Sequence, residues 1–131
     1  MILSVFPAVS DAKAERNMLA IAFTLNIAIT WPLTWMMLTA HPHMAEAYGP
    51  DSDARRILAC LYFTIGLASL FALAQMGLGN RAWALHVAWV LFPVQIVYKL
   101  ATWPAVGLSS PVVVTNLVVV AVLVLTLAIV R

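Results

Sequence analysis

The chain has 131 residues, of which 64% are hydrophobic and 9% are charged, and its formal net charge is +2. A soluble domain is about 45–50% apolar and about 25% charged, and a domain this small exposes much of its surface, so a water-soluble fold is excluded. The few lysine and arginine side chains adjoin hydrophobic segments, which indicates a membrane-topology signal and no nucleic-acid-binding surface.

The N-terminal tail, residues 1–17, mixes apolar and charged side chains. Its apolar members are expected to rest on the membrane surface: Ile2, Leu3, Val5, Phe6 and Val9. The apolar run that follows is longer than the roughly 7–15 residues at the core of a secretory signal, so it is interpreted as an uncleaved helix.

The first predicted span, residues 18–39, carries no charge and has the roughly 20 residues that a bilayer core requires. Pro32 lies inside it and predicts a kink, because proline lacks the amide hydrogen of a regular helix. Asn26, Thr30 and Thr34 recur at steps of four, so they share one helix face. This face is predicted to point into the bundle, as hydrogen-bonding contact between helices or as one wall of a ligand pocket.

Residues 40–54 are predicted to form the one substantial polar loop. One of residues 51–53 is expected to cap the next helix, since a short oxygen side chain accepts from free amides of the first turn. His41, His43 and Glu46 offer imidazole and carboxylate ligands that suit a transition metal. The proline between the two histidines restricts their convergence, so a solvated loop is the competing interpretation.

The second and third predicted spans, residues 57–78 and 82–100, are joined by a tight turn and should be antiparallel neighbours. Gly66, Ser69 and Ala72 lie three apart in the second span. Such a strip of small residues lets helix backbones approach closely, and it is predicted to form the core with the polar face of the first span.

The third span carries polar residues at two depths. Gln95 and Lys99 lie four apart, with Tyr98 beside them. Lys99 is interpreted as reaching the interface with its ammonium group, and the alternative is that it binds an anionic head group or carboxylate. His86, one turn inside the other end, is interpreted as hydrogen-bonded within the bundle, with ligation of haem or chlorophyll, or proton relay, as the alternatives.

The fourth predicted span, residues 112–130, is rich in valine, which in water favours a strand. Its apolar length predicts a helix instead, because lipid requires every main-chain polar group to be paired internally. Lysine and arginine counts at the span ends are four against three, which favours both termini in the cytoplasm. The two sets are Lys13, Arg16, Arg81 and Arg131 on one side, and Arg55, Arg56 and Lys99 on the other.

Polar residues of several spans are predicted to lie at similar depth, toward the membrane face that bears the polar loop. They are Thr34, Tyr62, Gln95, Lys99 and Asn116. If the bundle closes, they are expected to converge on a cavity that opens to that face. Together with Asn26, Thr30 and Tyr98 they form the predicted ligand-binding set, and a lipid or another lipophilic molecule is the expected ligand.

The predicted fold is an all-α, antiparallel bundle of four transmembrane helices in a single domain. None of the predicted spans contains Asp or Glu, which disfavours a proton-coupled antiporter of the small multidrug resistance type.

The preferred function is non-catalytic: an accessory or structural subunit of a larger membrane complex, or a lipophile-binding bundle. Its expected partners are membrane lipids and other membrane subunits or further copies of the chain. The alternatives are a membrane enzyme or transporter for a lipid-like substrate, and a homo-oligomeric channel, for which the chain offers no filter motif.

Overall fold

The computed structural model describes residues 7–130, with side chains described from residue 11 onward. These residues form five helices: α1 (Pro7–Leu38), α2 (Pro42–Tyr48), α3 (Asp53–Gly77), α4 (Arg81–Val106) and α5 (Pro111–Ile129). The expected surface contacts of Ile2, Leu3, Val5 and Phe6 lie outside the described residues, and so does the side chain of Val9.

The helices α1, α3, α4 and α5 are each long and apolar enough to cross a membrane. Within residues 7–130 every regular element is a helix, which confirms the predicted all-α bundle. The protein is therefore a small multi-pass integral membrane protein.

The helix boundaries extend beyond the predicted spans. The predicted tail is helical from Pro7 onward, and the predicted polar loop contains the short helix α2. The third span does not end near Leu100 but continues to Val106, where Gly107 with φ 98° ends the helix. Hydropathy marks the lipid-embedded part of a helix, whereas main-chain hydrogen bonding continues into water until a residue such as glycine breaks it.

The closest helix–helix contact lies between α1 and α3, at the strip of small residues. Gly66, Ser69 and Ala72 are all buried, as predicted. A Cβ atom on Gly66 would overlap the indole of Trp31 and lie 2.8 Å from Oγ1 of Thr30. The absence of a side chain at position 66 therefore sets how closely the two backbones approach.

The two halves of the bundle differ in packing. The half that contains the α3–α4 turn has a large apolar core, in which the rings of Phe23 and Phe92 lie 4.9 Å apart between centroids. The half that is covered by α2 has a smaller apolar cluster, which includes Met37, Met44 and Tyr62. The second half also contains a cavity.

Candidate functional site

The short helix α2 is held over one end of the bundle by a buried arginine. Arg55 is 4% exposed, and its guanidinium donates to the main-chain oxygens of Gly49, at 2.9 Å, and Met37, at 3.3 Å. It also lies 3.5 Å from a carboxylate oxygen of Asp51. The hydroxyl of Ser52 accepts from the main-chain amide of Arg55 at 3.2 Å, which confirms the predicted cap. The ends of α1 and α2 are thus tied to the start of α3.

A cavity of about 360 Å³ lies beneath α2 and between the four long helices. All five helices contribute to its lining, which consists of Ala28, Ile29, Thr30, Pro32, Leu33, Met44, Ala47, Tyr48, Tyr62, Lys99, Pro111, Val112, Thr115 and Asn116. Most of these side chains are apolar, and the polar ones come from several helices.

The mouth of the cavity lies between α1 and α5. Its exposed lining residues are Ala28 and Pro32 of α1 and Pro111 and Thr115 of α5. The mouth therefore opens on the side of the bundle, between two helices that are long and apolar enough to cross a membrane.

The inner end of the cavity contains Lys99. This residue is 4% exposed and lies seven residues before the end of α4, or about 10 Å at 1.5 Å per residue. Its Nζ donates to Oδ1 of Asn116 at 3.0 Å and lies 5.0 Å from the ring centroid of Tyr98. The interpretation that Lys99 extends to the interface is therefore wrong, because its ammonium is held inside the bundle by α5.

The orientation of the Asn116 amide is set by a second hydrogen bond. Its Nδ2 donates to Oγ1 of Thr102 at 3.2 Å, and that hydroxyl in turn donates to the carbonyl of Lys99 at 2.6 Å. The amide oxygen is thereby directed toward the ammonium group. Thr102 lies beyond the end of the predicted third span, so its part in the site was not predicted.

Two tyrosines add phenol groups to the cavity wall. Tyr48 from α2 and Tyr62 from α3 meet edge to face, with ring centroids 6.2 Å apart. Burial, together with the neighbouring Tyr62, raises the pKa of Tyr48 well above its ordinary range, so Tyr48 is a neutral phenol at physiological pH. Tyr48 was not among the residues predicted for the cavity, because residues 40–54 were predicted to form a loop.

A separate polar layer lies deeper in the bundle. Asn26 donates to Oγ of Ser69 at 3.1 Å and to Oε1 of Gln95 at 2.9 Å, and Gln95 donates back to Oδ1 of Asn26 at 3.2 Å. All three residues are at most 2% exposed. These side chains satisfy one another and join α1, α3 and α4.

The predicted ligand-binding set is thus divided in the structure. Thr30, Tyr62, Lys99 and Asn116 line the cavity. Thr34 and Gln95 do not join them: Thr34 donates to the carbonyl of Ala59 at 3.2 Å, and Gln95 hydrogen-bonds to Asn26. Asn26 and Tyr98 also lie outside its lining, and Tyr98 faces a smaller groove between α3 and α4.

The residues of the predicted metal site are all exposed. The rings of His41 and His43 lie 5.1 Å apart between centroids, and Nδ1 of His41 accepts from the amide of His43 at 3.4 Å, at the start of α2. Glu46 lies one turn further along the same helix. Within the part of the chain that the structure describes, no three His, Cys, Asp or Glu side chains are arranged to hold a metal ion.

His86 lies on the outer surface of the bundle. It is exposed on α4, and its ring meets that of Trp83 edge to face at 6.1 Å between centroids. The interpretation of a histidine hydrogen-bonded inside the bundle is therefore wrong. Its position five residues after the start of α4, beside a tryptophan, is typical of the aromatic belt near a membrane surface.

Comparison of the chain with protein-family models, with curated proteins and with solved structures found no match. The class of the protein follows from its own fold and site. It is a small four-helix integral membrane protein with a laterally open, mostly apolar cavity whose inner end carries a lysine and an asparagine.

Proposed function

We propose that the protein binds a lipid-like molecule in the cavity beneath α2. The observation that supports this most directly is the cavity itself, with its mouth toward lipid and its polar groups at the inner end. Ligand sites are typically concave, mostly apolar and about 300–1,000 Å³ in volume, with a few polar groups that orient the ligand. At about 360 Å³ the cavity is at the lower end of this range.

The lining matches an amphipathic molecule. Ile29, Leu33, Met44 and Val112 provide an apolar wall along which an alkyl chain can lie. The polar groups of the lining are an amine, an amide and several hydroxyls, which can hold a head group by hydrogen bonds.

Native mass spectrometry of the gently solubilised protein tests this proposal. We expect a bound lipophile, which should be lost in an Ala28→Trp variant because the indole would fill the mouth. Thr24→Trp is the matched control, since Thr24 is exposed on the same helix one turn away and does not line the cavity. Ligand-free wild-type protein that also takes up no added lipophile, or equal retention by both variants, would overturn the proposal.

We propose, as a second candidate function, that the protein is an accessory subunit that contacts a neighbouring membrane helix. The supporting observation is an apolar groove of about 460 Å³ on the outer face of α3 and α4, bordered by Phe71, Trp83, His86 and Val90. Side chains in such a groove can pack against another helix within the bilayer. A photo-crosslinking residue at position 90 should then capture a partner subunit or a second copy, and crosslinks to lipid alone would argue against this function.

A further inference from the structure

We propose that the molecule held in the cavity is a single-chain amphiphile with an anionic oxygen head group, a carboxylate or a phosphate monoester, which pairs with Lys99. This inference rests on the proposed binding function and adds the charge and orientation of the ligand. It follows from the environment of the ammonium group, the geometry of Asn116 and the position of the mouth.

Lys99 has no acidic partner in the described residues. The five acidic side chains of the chain all come from its first 53 residues: Asp11, Glu15, Glu46, Asp51 and Asp53. Of these, Asp51 already pairs with the buried Arg55 and with Arg56. A lone cation inside a membrane bundle is costly, and such residues usually pair with an opposite charge or mark a ligand pathway.

The hydrogen-bond partner of Lys99, Asn116, is neutral and so leaves the charge of the ammonium group uncompensated. An ammonium group has three N–H donors, and Asn116 accepts from it with a neutral amide oxygen. Thr102 holds that amide in place, so the acceptor is built into the site. Since Lys99 also lines the cavity, a head group there is within reach of the remaining donors, and an anion would supply the missing charge.

The position of the mouth gives the ligand an orientation. Lys99 and Asn116 are buried at the inner end, whereas Pro32 and Thr115 are exposed at the mouth. The head group therefore lies inside, and the alkyl chain leaves between α1 and α5 into the bilayer. The reverse orientation would place the anion in hydrocarbon and the alkyl chain against the ammonium group, which is unfavourable at both ends.

Four probes with the same alkyl chain test the charge preference on the purified full-length protein in a neutral detergent. They are oleate, oleyl phosphate, methyl oleate and oleylamine. We expect at least one anion to bind about ten- to a hundredfold more tightly than the ester and the amine. The reason is that a charge-assisted hydrogen bond to Lys99 is stronger than a neutral one. The two anions distinguish a carboxylate from a phosphate head group.

Two variants link this preference to Lys99. Lys99→Met should bind oleate and methyl oleate equally, whereas Lys13→Met, which alters an exposed lysine near the other end of the bundle, should retain the wild-type preference. Asn116→Asp keeps the lysine but supplies an internal counter-charge, so it should weaken the binding of anions and not of the ester. This second variant carries the test if Lys99→Met does not fold.

The outcomes separate this inference from the binding function. Equal binding of all four probes, or tighter binding of oleylamine, would overturn the anion preference and leave the binding function intact. A preference for anions that persists in folded Lys99→Met would also overturn the assignment to Lys99, and so would its persistence in Asn116→Asp if Lys99→Met does not fold. Failure of every probe to bind would contradict the binding function itself.

Discussion

The carboxamide groups of Asn26 and Gln95 hydrogen-bond to each other in both directions, at 2.9 and 3.2 Å, although they lie 69 residues apart in the sequence. Each amide thus uses its donor and its acceptor on the other, and Ser69 accepts a further hydrogen bond from Asn26. The pair joins α1 to α4 next to the cavity beneath α2. It fixes the spacing of the helices whose other residues form the cavity wall.

This reciprocal pair predicts non-additive mutational effects. Asn26→Leu or Gln95→Leu alone leaves a buried amide without its partner, and each should cost about 1–2 kcal/mol of the free energy of unfolding. The double variant should cost clearly less than the sum of the two, because no orphaned amide remains at that contact. Reversible unfolding in mixed micelles measures all four proteins, and additive costs would contradict the coupling.

Gly66 is predicted to be the least replaceable small residue in α3. Gly66→Ala would drive a methyl group into the indole of Trp31 and should cost about 1–3 kcal/mol, as overpacking typically does. Gly77→Ala is the matched control in the same helix, where a Cβ meets open space, and it should be neutral or stabilising by up to about 1 kcal/mol. Equal thermal stability of the two variants would show that α1 and α3 do not approach closely at position 66.

Arg55 is predicted to keep α2 in place over the cavity. Arg55→Met removes both main-chain contacts, and Arg55→Lys should not restore them, because a single ammonium group lacks the fork of donors that reaches two carbonyls. Both variants should increase proteolysis and amide exchange in residues 42–50. Arg56→Gln alters an exposed ion pair and should leave the protection of α2 nearly unchanged. Unchanged protection of α2 in Arg55→Met would contradict this role.

The ion pairs of Asp51, which lies outside the membrane-spanning helices, should make the stability of the fold depend on pH. Its hydrogen bonds with Arg56, together with the charges of Arg56 and Arg55, lower the pKa of Asp51 below its ordinary value of 3.8. Because the pKa in the folded state is the lower one, the stabilisation is complete above pH 3.8 and is lost as the pH falls through the folded-state value. Asp51→Asn should therefore lower the unfolding temperature at pH 7, and its difference from wild type should shrink below about pH 4. A difference that stays constant down to pH 2 would contradict the pairing.

Helical periodicity predicted the residues that share a face more reliably than it predicted what that face contacts. The step of four in Asn26, Thr30 and Thr34 correctly indicated a buried face, and the spacing of Gly66 and Ser69 correctly indicated close packing. Both inferences depend on one helix alone. They require only the rise and rotation per residue, which the main-chain hydrogen bonds determine.

Which residues line the cavity could not be predicted from the sequence of any single helix. Depth along a span placed Thr34, Gln95 and Lys99 in the same half, but the rotation of each helix about its axis decides which of them face the cavity. Lys99 does so because Asn116 of α5 holds its ammonium group, a contact between residues 17 positions apart. The helix α2 was missed because it is only seven residues long and is stabilised by tertiary contacts such as those of Arg55.

The measurement that tests the central claim most directly is photo-crosslinking with a long-chain fatty acid that carries a diazirine next to its carboxylate. After irradiation of the protein in membranes and digestion, we expect adducts on residues at the inner end of the cavity, such as Tyr62 and Asn116. Methyl esterification of the probe should reduce these adducts. Adducts spread over the outer faces of the helices, or confined to the groove of Phe71 and Trp83, would contradict a ligand held at Lys99.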